Sequence, residues 1–276
     1  GSYAIVLDEP VCAGPEERLI LLEEFEVFCL ESGLKSAYYR VEENSLSLFS
    51  EIGKKSLIIG QEAVIDLQNF TLEGKDKKSM RNGLNSIVKK GLKSVIYQAP
   101  IKDGLLQKLK FVSNDWLETT NREEIVFTQG MFEWEKLKQQ TIITIENEDE
   151  QGGGFLKIIP DLAPGEATYD LIRKTADAPG GVTDALIIAL IEYCKTRNIR
   201  YLNLGLAPLS GIDQAKGLPE KTLKFAYEKF QQFRHYRGLR DFKEKFSPRW
   251  SNKYLIYENH YDLISLPKAL NKVMKP

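Results

Sequence analysis

The chain has very few of the residues that build metal centres and disulfide frameworks. Its 276 residues include three cysteines and two histidines. Cys12, Cys29 and Cys194 show no metal-ligand spacing, and an odd count without a framework points to reduced thiols and a cytosolic compartment. Two histidines, His235 and His260, argue against a zinc site, so no metal is expected. Long hydrophobic runs are missing too. The longest strongly apolar stretch, Ala185 to Ile191, falls far short of the ~20 residues a spanning helix needs, and no signal peptide is visible. Charge of one sign is also lacking. Lys and Arg number 38 against 39 Asp and Glu, a formal net charge of −1. The whole molecule is therefore no electrostatic magnet for nucleic acid.

What remains is an ordinary globular composition, 42% hydrophobic and 28% charged, in a chain long enough for two domains. The charge is unevenly spread. Between Lys221 and Lys253, ten bases meet only Glu228, Asp241 and Glu244, a local excess of seven. Such a patch matters more to a polyanion than the global sum. Gly1-Ser2 reads as a cloning remnant, and we expect the chain to be a piece of a longer protein.

Strand-like and helix-like segments alternate, which predicts an α/β or α+β fold. Strands are expected at 3–7, 37–41, 94–98, 140–145, 155–159, 201–206 and 254–257. A strand and turn unit is expected around Gly60, from 56 to 67. Helices are expected at 16–32, 77–90, 105–116, 184–196 and 220–236, with a terminal helix opened by Pro267. The order of elements is similar in the two halves, which predicts a domain of residues 1–140 followed by one of residues 141–276.

Chemistry concentrates after residue 169. Asp170 and Arg173 are three apart, so a helical turn would put them on one face. Spacing alone fits an ordinary surface ion pair better than a reacting site. The loop from Asp177 to Gly181 leads into an apolar helix. It fits a phosphate cradle at a helix start and a plain turn with Asp184 near the N-cap equally well. In the basic segment, we read Tyr227, Phe230 and Phe233 as core. Arg237, Arg240, Lys243 and Lys245 are read as functional, and Phe242 and Phe246 are expected to pack inward. The alternative is an amphipathic helix with solvated charges. His235 has no nucleophile placed beside it.

Seven motifs run in order along the chain: GQEAVIDLQNF at Gly60 to Phe70, FVSNDWL at Phe111 to Leu117, FTQGMF at Phe127 to Phe132, YDLIR at Tyr169 to Arg173, GVTDALI at Gly181 to Ile187, LNLGLAPLSG at Leu202 to Gly211, and GLRDFKEKFSPRW at Gly238 to Trp250. Together they resemble the cytosolic C-terminal domain of the multiple peptide resistance factor family, the phosphatidylglycerol lysyltransferases and alanyltransferases. Asn114 and Thr183 depart from the Asp and Met more usual there. The resemblance implies two tandem GNAT-like acyltransferase folds that move an aminoacyl group from a charged tRNA to the glycerol head group of phosphatidylglycerol, with lysine expected. It implies no cofactor beyond the aminoacyl-tRNA donor, because the full GNAT glycine pattern for coenzyme A is missing. It also implies an N-terminal transmembrane flippase domain outside this chain and a place at the cytoplasmic face of the cell membrane.

By the same resemblance, the catalytic residues are Asp170, Arg173 and Lys243. Asp170 would hold the aminoacyl ammonium, and Arg173 the lipid phosphate or the developing oxyanion. Gly180, Gly181, Asp184, Asn203 and Ser210 would contact substrate, and Arg237, Arg240 and Lys245 the tRNA. The competing expectations are alanyl transfer to the same lipid, transfer to a non-lipid acceptor, and a non-catalytic tRNA- or membrane-binding module.

Overall fold

The computed structural model describes residues 2–149, 152–159, 164–211 and 238–276. Two compact units divide them. The first comprises Gly1–Ala63, Leu206–Arg240 and Trp250–Pro276; the second comprises Val64–Gly205 and Asp241–Arg249. The units are interleaved along the chain, which differs from the expected halves 1–140 and 141–276. The expected cut falls between two strands that pair inside the second unit.

In the first unit, β1 (Ser2–Leu7) pairs in parallel with β2 (Leu34–Glu42), and β2 pairs antiparallel with β9 (Arg249–Tyr257). Helix α1 (Pro15–Glu31) returns the chain between β1 and β2. Leu22 of α1 packs with Tyr38, Val41, Phe49 and Ile256 in one buried cluster. Phe49 comes from a short helix, α2 (Leu46–Glu51), that the sequence pattern did not predict. Strand β3 (Lys55–Asp66) is continuous through Gly60, where a turn was expected. The glycine is needed for close approach: a Cβ there would lie 2.5 Å from the Ala207 carbonyl oxygen. The terminal helix α8 (Asp262–Val273) starts five residues earlier than expected and holds Pro267 inside it.

The second unit carries strands in the order β8-β7-β6-β5-β4. They are β4 (Lys93–Tyr97), β5 (Ile142–Glu146), β6 (Gly152–Ile159), β7 (Glu166–Lys174) and β8 (Tyr201–Pro208), the last continuing into the first unit. Antiparallel ladders join β4 to β7, and β7 runs parallel to β8. Helix α4 (Asp103–Thr120) and the short α5 (Trp134–Lys138) cover one side. Ile101, Leu106, Leu109, Val112, Leu137, Ile142, Phe155 and Leu171 form the core there. Helix α6 (Val182–Thr196) is buried along most of its length, as its apolar sequence predicts. Burying each Leu or Ile of this kind is worth roughly 1.5–3 kcal/mol. Gly152 to Gly154, expected in a polar loop, open strand β6 instead, because an added Cβ at Gly154 would strike the Arg173 carbonyl at 2.7 Å.

Helix α3 (Lys78–Lys89) packs on α6. Gly181, the residue before α6, has φ of +97°, and a Cβ on it would sit 2.9 Å from Gly83 Cα of α3. Gly181→Ala therefore combines left-handed strain with overpacking. We expect it to cost at least ~2 kcal/mol, read as a lower denaturation midpoint at unchanged m-value.

Candidate active site

Asp170 and Arg173 sit on strand β7, not on a helical turn. In a regular strand, residues three apart point to opposite faces. A bulge changes this. Phe155 and Lys157, two apart on β6, pair with Arg173 and Asp170, three apart on β7. The extra residue lies at Leu171 or Ile172, and Leu171 has φ of +49°. Phe155 and Lys157 share a face, so their partners do too. The two charges thus share one face of β7 by way of a bulge, and Arg173 meets Ser113 and Trp116 of α4 there.

Both side chains are buried and held by internal partners. The Asp170 carboxylate accepts the Leu171 N–H at 2.7 Å and the Gly130 N–H at 2.6 Å, and Lys157 Nζ lies 3.2 Å away. Gly130 belongs to the FTQGMF motif, and a Cβ on it would collide with Asp170 Oδ2. The Arg173 guanidinium makes a fork to Glu124, at 2.9 and 2.5 Å, and donates to Ser113 Oγ at 2.5 Å. It also lies over the Trp116 ring, 5.2 Å from the centroid. Burial disfavours the charged form of Glu124, but hydrogen bonds and charge from Arg173, with the Phe132 N–H and Lys110, outweigh it and hold the carboxyl below its ordinary value. Burial, with Asp170 beside it, pushes the Tyr169 hydroxyl above the ordinary phenol range.

A depressed carboxyl stabilises the fold above its unfolded pKa, and that stability is lost as pH falls through the folded value. We therefore expect acid destabilisation to begin below about pH 4.3, the ordinary Glu value. Glu124→Gln should flatten that limb in urea titrations run between neutral pH and pH 3. An acid limb as steep as in the parent protein would contradict the role given to this pair.

The parallel register of β7 and β8 runs from Glu166–Tyr201 to Thr168–Asn203, and both strands continue beyond it. Asp170 and Gly205 each lie two residues past the last pair. Gly205 has φ of +78°, its N–H bonds to Asn203 Oδ1 at 2.8 Å, and its carbonyl accepts Lys243 Nζ at 2.8 Å. Lys243 is fully buried and lies in α7 (Leu239–Glu244). Asn203 also donates to Glu166 at 3.0 Å, so its amide links the two strands.

The segment 241–249 is bolted down along its length. Lys245 makes a two-oxygen ion pair with Asp184 in the first turn of α6, at 2.5 and 2.7 Å. The buried Lys77 donates to the Lys245 carbonyl and to Ser247 Oγ, both at 2.6 Å. Phe246 is buried, with its ring 6.5 Å from Phe70 and 5.6 Å from Phe242. Asp115, in FVSNDWL, accepts the Ala176 N–H at 2.7 Å and so ties α4 to the loop that leads to Gly180 and Gly181.

The sequence-based site residues therefore divide. Asp170, Arg173, Lys243, Asn203, Asp184, Lys245, Gly180 and Gly181 all belong to the second unit. Ser210 and Arg240 belong to the first. Ser210 Oγ donates to the Ala207 carbonyl at 2.7 Å and accepts the Gln61 N–H at 3.0 Å. Arg240 donates to Gln61 Oε1 and lies 4.2 Å from the Trp250 centroid. Arg237, His235 and the helix expected at 220–236 lie outside the described residues. Sequence reasoning missed Ser113, Trp116, Glu124, Gly130 and Lys157. A signal existed for Lys157, a charge at an inward position of an apolar strand between Phe155 and Ile159. None existed for Glu124, which meets Arg173 across 49 residues of chain.

Comparison with known proteins gives this arrangement a context. Residues 1–257 match the family described as phosphatidylglycerol lysyltransferase, C-terminal. The chain is similar to the phosphatidylglycerol lysyltransferase of Bacillus subtilis, at 30% identity over 262 residues, covering 94% of this chain and 30% of that protein. It is similar to the phosphatidylglycerol lysyltransferase of Staphylococcus xylosus, at 29% identity over 274 residues, covering 98% and 32%. Among solved structures it is similar to L-PGS from Bacillus licheniformis, with a TM-score of 0.82 and 28% identity, covering 98% of this chain and 83% of that one. It spans about a third of the length of the curated relatives it matches. The chain belongs to the phosphatidylglycerol lysyltransferase C-terminal family.

Proposed function

We propose that this chain carries out the aminoacyl-transfer step of a phosphatidylglycerol lysyltransferase, moving lysine from lysyl-tRNA to a glycerol hydroxyl of phosphatidylglycerol. The match of residues 1–257 to the family carries the reading. In this reaction the lipid hydroxyl attacks the ester carbonyl of the aminoacyl-tRNA. The carbonyl carbon becomes tetrahedral, the ester bond to the terminal ribose breaks, and the ribose oxygen leaves with the proton from the lipid hydroxyl. No redox partner is needed.

The geometry supports distinct roles for the buried charges. Asp170 is the carboxylate for the substrate ammonium. Lys157 already stands 3.2 Å from it, so the incoming ammonium shares or takes that position. The guanidinium of Arg173 is engaged by Glu124 and Ser113. That makes Arg173 a positioning residue for β7 rather than a contact for lipid phosphate. Lys243, buried and holding the Gly205 carbonyl at the end of the β7–β8 register, is by the same criterion a positioning residue for β8. The two GNAT-like folds implied by the sequence belong to the same reading, as the two interleaved units. So do the tRNA donor, the membrane-facing location and the additional domains that account for the greater length of the relatives.

The test is product identification. The protein is incubated with phosphatidylglycerol liposomes and, separately, with lysyl- and alanyl-tRNA, and the lipids are analysed by mass spectrometry. Lysylphosphatidylglycerol from lysyl-tRNA alone is the expected result. Modified lipid from alanyl-tRNA only, or from neither, would overturn the proposal.

A further inference from the structure

The first unit contains a cavity of about 660 Å³ between α2, the start of β3 and the end of β9. This is within the range of roughly 300–1,000 Å³ common for small-ligand sites. Its wall is chemically one-sided. Ser47, Ser50 and Ser56 bring hydroxyls, Lys54 and Lys55 bring ammonium groups, and His260 brings an imidazole. No Asp or Glu is among the described lining residues. The floor is apolar, with Phe49, Leu57 and Tyr257 buried beneath it.

The two lysines differ. Lys54 is fixed in the wall, 2.6 Å from Glu26 and 2.7 Å from Ser36 Oγ. Glu26 also accepts the hydroxyls of Ser36 and Tyr38 at 2.7 Å, so its charge is spent behind the cavity. Lys55 is exposed at the mouth and forms no ion pair among the described residues. Tyr257 and His260 Nδ1 are 3.2 Å apart, which orients the imidazole at the rim. An uncompensated ammonium, three hydroxyl donors and no carboxylate suit an oxyanion of tetrahedral shape, because each donor can meet a separate oxygen.

We propose that this cavity binds a phosphate group, carried on a phospholipid head group or present as the free ion. Every described lining residue belongs to the first unit, whereas the Asp170 cluster belongs to the second. No residue named above for aminoacyl transfer lines the cavity. Its volume exceeds that of a bare phosphate ion, which favours a phosphodiester with its glycerol.

Calorimetric titration of the protein with inorganic phosphate, and separately with glycerophosphoglycerol, tests the proposal. Saturable binding of at least one probe is expected, weakened at least tenfold in Lys55→Glu. It should be unchanged in Lys75→Glu, an exposed lysine of the second unit that makes the same change in net charge. Tighter binding of glycerophosphoglycerol identifies the head group as the source. Binding of phosphate alone identifies the free ion. No saturable binding of either probe, or equal affinity in the parent and Lys55→Glu, overturns the proposal.

Discussion

Arg173→Ala is expected to destabilise the protein by about 3–5 kcal/mol, the cost of breaking a buried ion pair by removing one partner. The guanidinium is almost fully buried and satisfies both oxygens of Glu124 and the Ser113 hydroxyl. Its removal leaves a partly buried carboxylate without its cation and a gap against Trp116. Urea denaturation followed by tryptophan fluorescence would measure the loss. The double variant Arg173→Met with Glu124→Leu should recover much of it, since replacing both charges by apolar groups is often near neutral. A loss below 1 kcal/mol for Arg173→Ala would show that the pair contributes little. The sequence resemblance implied a role at the lipid phosphate or the developing oxyanion, from which an inactive but fully stable variant follows. The buried fork predicts instead that activity and stability fall together.

Asp170→Asn should behave in the opposite way. The amide oxygen can still accept the Gly130 or Leu171 N–H, so the loop at 127–132 keeps part of its anchor. The charge that would attract an ammonium is gone. Transfer from lysyl-tRNA should fall by about 100- to 1,000-fold, the usual cost of removing a preorganised electrostatic contact, with stability changed by no more than about 1.5 kcal/mol. Single-turnover transfer with enzyme in excess separates this from weaker tRNA binding. Near-parent rates would remove Asp170 from the chemistry. Lys157→Met gives the complementary readout. It removes the resident cation beside Asp170, so the KM for lysyl-tRNA should move while the tRNA salt dependence stays the same.

Much of the fold was legible because its periodic segments are long. Helices α1, α3 and α6 and strands β1, β2, β5, β6 and β8 lie where apolar spacing puts them. The failures share a cause. Gly60 and Gly152 to Gly154 read as turns, yet they sit in strands, and at Gly60 and Gly154 a neighbouring backbone approaches too closely for a Cβ. The YDLIR segment reads as a helical turn because three-residue spacing suits one. A bulge at Leu171 achieves the same alignment in a strand, and bulges leave no periodic signature. The interleaving of the two units was invisible because pairings such as Tyr38–Ile256 join residues remote in sequence. At the candidate site, the residues of YDLIR and DFKEKF were legible as charges worth naming. Their partners were not, because Glu124, Gly130 and Lys157 meet them only through the fold. Asp184 and Lys245 were both named, but for different substrates, and the fold joins them in one ion pair.

In the proposed reaction the Asp170 carboxylate receives the ammonium of an aminoacyl ester. The amides of Gly130 and Leu171 donate to that carboxylate and so report on it directly. Lysine methyl ester, a small mimic of the aminoacyl end of the donor, can be titrated into ¹⁵N-labelled protein. We expect saturable shifts of the Gly130 and Leu171 resonances that vanish in Asp170→Asn. Shifts confined to other residues, or the same shifts in the Asn variant, would contradict it.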